Sequence, residues 1–324
     1  MRRKLWIAAF GLVALLGVLG YVLFRPLAPL PLPADFACYD IAQGAYVPLA
    51  PPPQAFGVGL TYAAHIEETA SSFDSESSPP IFEKRPQSTV RTGAQVRLPT
   101  GTEMTAAVGA LEPGLGNALI ERFPNLDPLL DYEVEMGFVL LDDIDASSLD
   151  DPSFAPRLGF FIANDLSARS VQILGEGQGN RRAFWSASKS FPGFMPIADR
   201  AWVPEAPLPN GIPCLEIETL VNGEVVQRQS TTDMIYTPRQ MLRFVREAFP
   251  DVPLDKGTVV LSGTPSGVAM TTPRWLVRLA GLLHLSRFQK HGNKLEDAEL
   301  FLKAGDRVVV RGQGLGKVNV TVAP

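Results

Sequence analysis

Residues 130–141 read Leu-Asp-Tyr-Glu-Val-Glu-Met-Gly-Phe-Val-Leu-Leu, and the alternation in this stretch decides how the rest of the chain is read. On a β-strand successive side chains face opposite ways, so Glu133 and Glu135 share a face with Gly137 and Val139, while Tyr132, Val134, Met136, Phe138 and Leu140 form the other. The second face is core. The first is not a solvated face either, because it continues as glycine and valine. Two carboxylates at one end of a strand buried on both sides repel each other unless a cation compensates. A wet strand end is the competing reading of these residues.

Working outward, most later segments are short β-type runs bounded by Gly or Pro, with helices expected near Ser167 to Leu174 and Pro238 to Phe249. This predicts a β-rich α+β domain starting near Gln54 and closed by a hairpin over Gly305 to Val322. The 324 residues hold ample core, and a net charge of -5 offers no basic field for nucleic acid. Cys38 and Cys214 are too few for a disulfide framework or a cysteine-rich zinc site, and whether they form one bridge stays open.

At the N-terminus Arg2, Arg3 and Lys4 precede the uncharged run Leu5 to Phe24, long enough to cross a bilayer. The expectation is one transmembrane helix over 1–25, N-terminus cytoplasmic, with the catalytic domain on the far side, periplasmic in a bacterium. A Pro-rich linker and short N-terminal segment over 26–53 would hold the 54–324 domain off the membrane. Ser71 to Pro80 reads as a mobile loop placed to act as a lid.

Several residues have the chemistry of a site. His65 and Glu68, three apart in GLTYAAHIEE, share one helical face, and a carboxylate beside an imidazole fixes its tautomer for general-base work. A structural histidine fits the same spacing. Asp165 ends an apolar strand in RLGFFIANDLSARSVQ, either as a helix N-cap or as a third acid beside Glu133 and Glu135. Arg169 and Gln172 follow on one helical face. Lys84 lies in IFEKRP as an ordinary surface lysine would, and Lys189, flanked by aromatics in FWSASKSFPGF, is either desolvated and reactive or a snorkelling structural residue. The turn TVVLSGTPSGV presents Thr264 and backbone N–H groups able to hold a carboxylate. With no CxxC and no HExxH, clustered carboxylates favour a hard ion: Mg²⁺, with Mn²⁺ and Ca²⁺ as alternatives.

Taken in order, these motifs resemble those of the fumarylacetoacetate hydrolase family. GLTYAAH is similar to the family's GLNYxxH, LDYEVEM to LDYEVEL, IANDLSARSVQ to NDxSARDxQ, KSF to KSFD, VNGEVVQ and TTDMIY to VNGExxQ and TxxMIF, and SGTPSGV to TGTPxGVG. The resemblance implies a mixed β-sandwich roll and a divalent cation held by Glu133, Glu135 and Asp165. It implies His65 with Glu68 as a water-activating catalytic dyad and Lys189 as oxyanion partner. It places Lys84, Arg169, Gln172 and Thr264 near the substrate. Thr61, Arg85 and Pro192 depart from the motifs, and residues from about 271 to 299 form an insertion whose apolar stripe could pack on the domain, at a dimer contact or along a lipid interface.

The implied function is metal-dependent hydrolysis of a carbon–carbon bond in an acylpyruvate or β-diketo acid. The alternatives are an oxaloacetate or 2-oxo acid tautomerase or decarboxylase, and a membrane-tethered binding module without turnover. Expected partners are a small 2-oxo or β-diketo acid, the membrane through the N-terminal helix, and a second copy of the chain in a homodimer.

Overall fold

A computed structural model describes residues 17–18, 20–24, 30–69 and 78–324. It corrects the membrane assignment. Among the described residues no helix is long and apolar enough to cross a membrane. Most of the Leu5 to Phe24 run lies outside the described residues. The single-pass localisation is withdrawn with the anchor. The loop read over Ser71 to Pro80 also lies mostly outside them.

The fold is α+β with two mixed sheets. The larger runs in the order Gly44–Pro48, Arg200–Pro204, Leu158–Asn164, Val134–Leu140, Val259–Leu261, Ala55–Val58, Ile81–Lys84, with Met195–Ile197 joining Leu158–Asn164 to Thr89–Arg91. The smaller runs Glu224–Ser230, Glu216–Val221, Arg307–Gly312, Gly316–Ala323, Gln95–Arg97. The two share one core, in which Phe160 and Ile162 meet Ile217, Val310 and Val318. Gly312 faces the Ile162 side chain too closely for a Cβ, so the sheets touch where a glycine permits it.

Val134–Leu140 is central in the larger sheet and all seven of its residues are buried, which is why its sequence reads apolar on both faces. Gly137 lies against the Phe161 ring, where any side chain would clash. The helix Pro238–Ala248 starts on a capping box, Thr237 with Gln240, and buries Met241, Leu242 and Val245 along one stripe.

Over residues 37–48 the chain is built into the domain. Ala37–Tyr39 pairs parallel with Gly211–Pro213, and Gly44–Pro48 pairs antiparallel with Arg200–Pro204. Cys38 and Cys214, 176 residues apart, are disulfide-bonded. In the 271–299 segment, Arg274–Leu282 leaves Trp275, Leu276 and Leu282 exposed, while Arg287–Leu295 buries His291 against Phe123.

Candidate active site

Strand pairing builds the carboxylate cluster. Val134 pairs with Asn164, so Glu133 and Asp165 are the next residues outward on the two strands, and Asp165 N–H donates to Glu133 O at 2.8 Å. Glu135 lies two residues inward from Glu133, on the same side. One oxygen from each of Glu133, Glu135 and Asp165 lies within 4.8 Å of the others, and all three residues are buried. The structure thus brings together the three acids singled out in the sequence.

Three buried cations meet them. Lys189, at the C-terminal end of Arg181–Ser188, bonds Glu133 and also donates to Asp165 Oδ2 and Ser167 Oγ, both at 2.8 Å. Lys84, on the sheet's edge strand, bonds Asp165 and donates to Phe194 O at 2.9 Å. Arg169 bonds Glu133 and donates to Asp131 Oδ2 at 2.8 Å and to Gln172 Oε1 at 2.6 Å. Arg169 and Gln172 therefore hold each other and the cluster. Lys84 is the reverse of a surface lysine, 1 % exposed.

The charges divide unequally. Burial pushes Glu133 up, but Arg169 and Lys189 outweigh it and hold the carboxyl down at about 2. Glu135 goes the other way: burial, then Asp165 and Glu133, raise it well above the ordinary range. Among the described residues its one side-chain hydrogen bond comes from Gly263 N–H at 2.7 Å. Burial lowers Lys84 in spite of Asp165 beside it, whereas Asp165 and Glu133 together overcome burial and raise Lys189.

Counting Asp131, among the described residues four buried carboxylates face three cations, and Glu135 is the one left without an ion-pair partner. Buried charge of this kind is stable only when paired or ligating. Beside it Thr61 Oγ1, Tyr62 OH and Ser262 Oγ are buried with no hydrogen-bond partner among the described residues. An all-carboxylate donor set next to an uncompensated acid fits a hard divalent cation.

The turn after Val259–Leu261 organises the remaining acids. Its backbone N–H groups hold carboxylates, as its composition suggests, but they are the protein's own. Gly263 grips Glu135, Gly267 donates to both oxygens of Glu68 at 3.0 and 2.8 Å, and Ala269 and Met270 donate to Asp131 at 2.8 and 3.2 Å. Gly263 and Gly267 have φ of 89° and 98°, and a Cβ at either would strike backbone carbonyls, so glycine is required at both.

The anchored Glu68 in turn holds His65. The helix Ala63–Glu68 places His65 Nδ1 3.0 Å from Glu68 Oε1, and the imidazole lies close enough to Glu133 to lower its carboxyl. A histidine whose Nδ1 is engaged by a carboxylate presents Nε2 as the base.

Two residues outside the sequence-level site belong to this network: Asp131, which orients Arg169, and Gln227, whose amide touches the turn at Thr264. Asp131 has the same strand parity as Glu133 and Glu135, a signal that could have identified it. Gln227 closes the quoted VNGEVVQ run. Of the three departures from the family motifs, Thr61 is buried behind Gly263, and the backbone N–H of Arg85 donates to Ser190 Oγ at 3.1 Å.

The model of the fumarylacetoacetate (FAA) hydrolase C-terminal family matches residues 54–323. The mitochondrial oxaloacetate tautomerase of Schizosaccharomyces pombe is 28 % identical over 218 residues, 67 % of this chain and 82 % of that protein. The mitochondrial oxaloacetate decarboxylase of Dictyostelium discoideum is 25 % identical over 224 residues, 68 % of this chain and 85 % of that protein. Among solved structures, the fumarylacetoacetate hydrolase of Exiguobacterium antarcticum superposes with a TM-score of 0.52 at 23 % identity, covering 85 % of this chain and 77 % of that one, a likeness of fold.

Proposed function

The chain belongs to the fumarylacetoacetate hydrolase family, and from that premise we propose that it is a divalent-cation-dependent hydrolase cleaving a carbon–carbon bond in an acylpyruvate or related β-diketo acid. The observation that carries this reading is the His65–Glu68 pair, tied by Gly267 to the turn that also holds Glu135. It is a general base built beside a carboxylate cluster.

Glu133, Glu135 and Asp165 would hold the cation, with Mg²⁺ the expected ion and Mn²⁺ or Ca²⁺ its substitutes. When bound, a divalent cation supplies the positive charge that makes an enolate an acceptable leaving group.

The chain's own residues do the rest. His65, held by Glu68, takes a proton from water, and the resulting hydroxide attacks the acyl carbonyl carbon. The bond between that carbon and the methylene then breaks. Its electron pair passes to the 2-oxo acid fragment as an enolate, which Lys189 stabilises as a second positive charge. Protonation of that carbon, by the proton His65 took, yields the 2-oxo acid beside a carboxylic acid. With four carboxylates against three cations, a divalent ion leaves the cluster one positive charge in excess, which suits an anionic substrate.

A second reading is favoured by the relatives named as oxaloacetate tautomerase and decarboxylase. Both reactions need the same enolate stabilisation without a hydrolytic water.

One assay separates them. Purified protein with Mg²⁺ is given an acylpyruvate and oxaloacetate in parallel, before and after EDTA. The proposal expects pyruvate and a carboxylic acid from the acylpyruvate, lost on chelation and restored by Mg²⁺. Oxaloacetate turnover without acylpyruvate cleavage establishes the second reading instead, and full activity after exhaustive chelation overturns the metal assignment.

A further inference from the structure

We propose that Gln227 is a positioning residue that sets the direction of the Thr264 hydroxyl proton, so that this hydroxyl donates to the anionic end of the substrate. The inference rests on the reading of the carboxylate cluster as a 2-oxo acid site.

Gln227 stands on the Glu224–Ser230 strand and is 1 % exposed. Its Oε1 accepts from Val134 N–H at 3.1 Å and from Thr219 Oγ1 at 2.7 Å. Its Nε2 donates to Thr264 Oγ1 at 3.0 Å and to Pro265 O at 3.1 Å. The two ends of the amide are not interchangeable. A backbone N–H can only donate and a backbone carbonyl can only accept, so Val134 demands the oxygen and Pro265 demands the nitrogen. Both amide protons and both carbonyl lone pairs are then in use.

Thr264 follows from this. Its Oγ1 receives a proton from Gln227 and must aim its own proton elsewhere, and among the described residues no group accepts it. Thr264 is 4 % exposed and next in sequence to Gly263, whose N–H holds Glu135, so the residue stands beside the carboxylate cluster. A buried hydroxyl beside the carboxylate cluster, with its own proton uncommitted among the described residues, is a donor awaiting an acceptor. Were the amide replaced by a carboxylate, the Thr264 proton would be drawn back to it and lost to the substrate. Gln227 also grips Val134, between Glu133 and Glu135, so a purely structural role would show in metal affinity as well. The test separates the two.

The probe is oxalate, a planar dianion with the oxygen arrangement of a 2-oxo acid enolate, titrated calorimetrically into the full chain loaded with Mg²⁺. Thr264→Val should weaken oxalate binding about 10- to 100-fold, the span of a hydrogen bond to a charged group. Its Mg²⁺ affinity should stay at the parental value. Thr264→Ser, which keeps the hydroxyl, should bind oxalate as the parent does. Gln227→Glu should show a loss like that of Thr264→Val, and the double variant should lose no more than the worse single one, because both remove the same donor. Losses that multiply in the double variant overturn the proposal. So does parental oxalate affinity in Thr264→Val, which decides the matter even where Gln227→Glu fails to fold. A parent protein that binds no oxalate removes the 2-oxo acid reading itself, and this inference with it.

Discussion

Two buried histidines, each on a short helix, stand in opposite relations to their surroundings. His65, on Ala63–Glu68, has a carboxylate at its Nδ1, and that carboxylate is itself held by a backbone N–H. His291, on Arg287–Leu295, is fully buried with neither ring nitrogen hydrogen-bonded among the described residues, and its ring lies 4.6 Å from that of Phe123. Burial lowers His291 to about 4, so it is packed as an aromatic. The comparison teaches that burial does not make a base. What marks His65 is a partner that fixes its tautomer and a place beside other charges.

The comparison breaks most sharply in turnover. His65→Ala should lower hydrolysis by roughly a hundredfold or more, the contribution of a positioned general base. His291→Phe should leave the rate at its parental value. Equal losses in the two variants, measured with the same acylpyruvate, would erase the distinction.

Stability sharpens it next. Asp131 accepts from Arg169 and from the backbone N–H groups of Tyr132, Ala269 and Met270. Asp131→Asn turns an amide toward those donors and leaves a buried guanidinium short of a partner, at a cost of about 3 to 5 kcal/mol. His291→Phe replaces an unsatisfied polar ring with an apolar one and should be neutral or stabilising. Denaturant unfolding of both variants checks the signs.

A pH slope completes the contrast, spread over several pH units. The folded value of His291, about 4, lies below the ordinary 6.5, so its contribution is fully present above pH 6.5 and lost as pH falls toward 4. The loss approaches roughly 3 kcal/mol at the acid end. Stability curves of the parent and His291→Phe should diverge below pH 6.5, and curves that stay parallel would mean the imidazole finds a partner when protonated.

The half of this contrast that could be read from the sequence is the half with local spacing. Glu133 and Glu135 alternate on one strand, His65 and Glu68 lie three apart on a helix, and each spacing survives folding because it is set within one element. Asp165 was ambiguous between N-cap and third acid until strand register placed it opposite Glu133. The non-local contacts were not legible. Nothing in SGTPSGV says that its N–H groups hold Glu68 and Glu135, or that Ala269 and Met270 just after it hold Asp131, since those acids arrive from two other segments. The Cys38–Cys214 pairing spans 176 residues and depends on two strands lying parallel. The membrane reading erred by taking apolar length alone as a span.

The account stands on the claim that the unpaired Glu135, with Glu133 and Asp165, makes a divalent-cation site. Electron paramagnetic resonance of Mn²⁺ titrated into chelator-stripped protein tests it directly. The parent should take up the ion stoichiometrically, and Glu135→Gln, nearly isosteric and still folded, should bind it at least about tenfold more weakly. A stripped parent that takes up no Mn²⁺, or a Glu135→Gln variant that binds it as tightly as the parent, contradicts the claim.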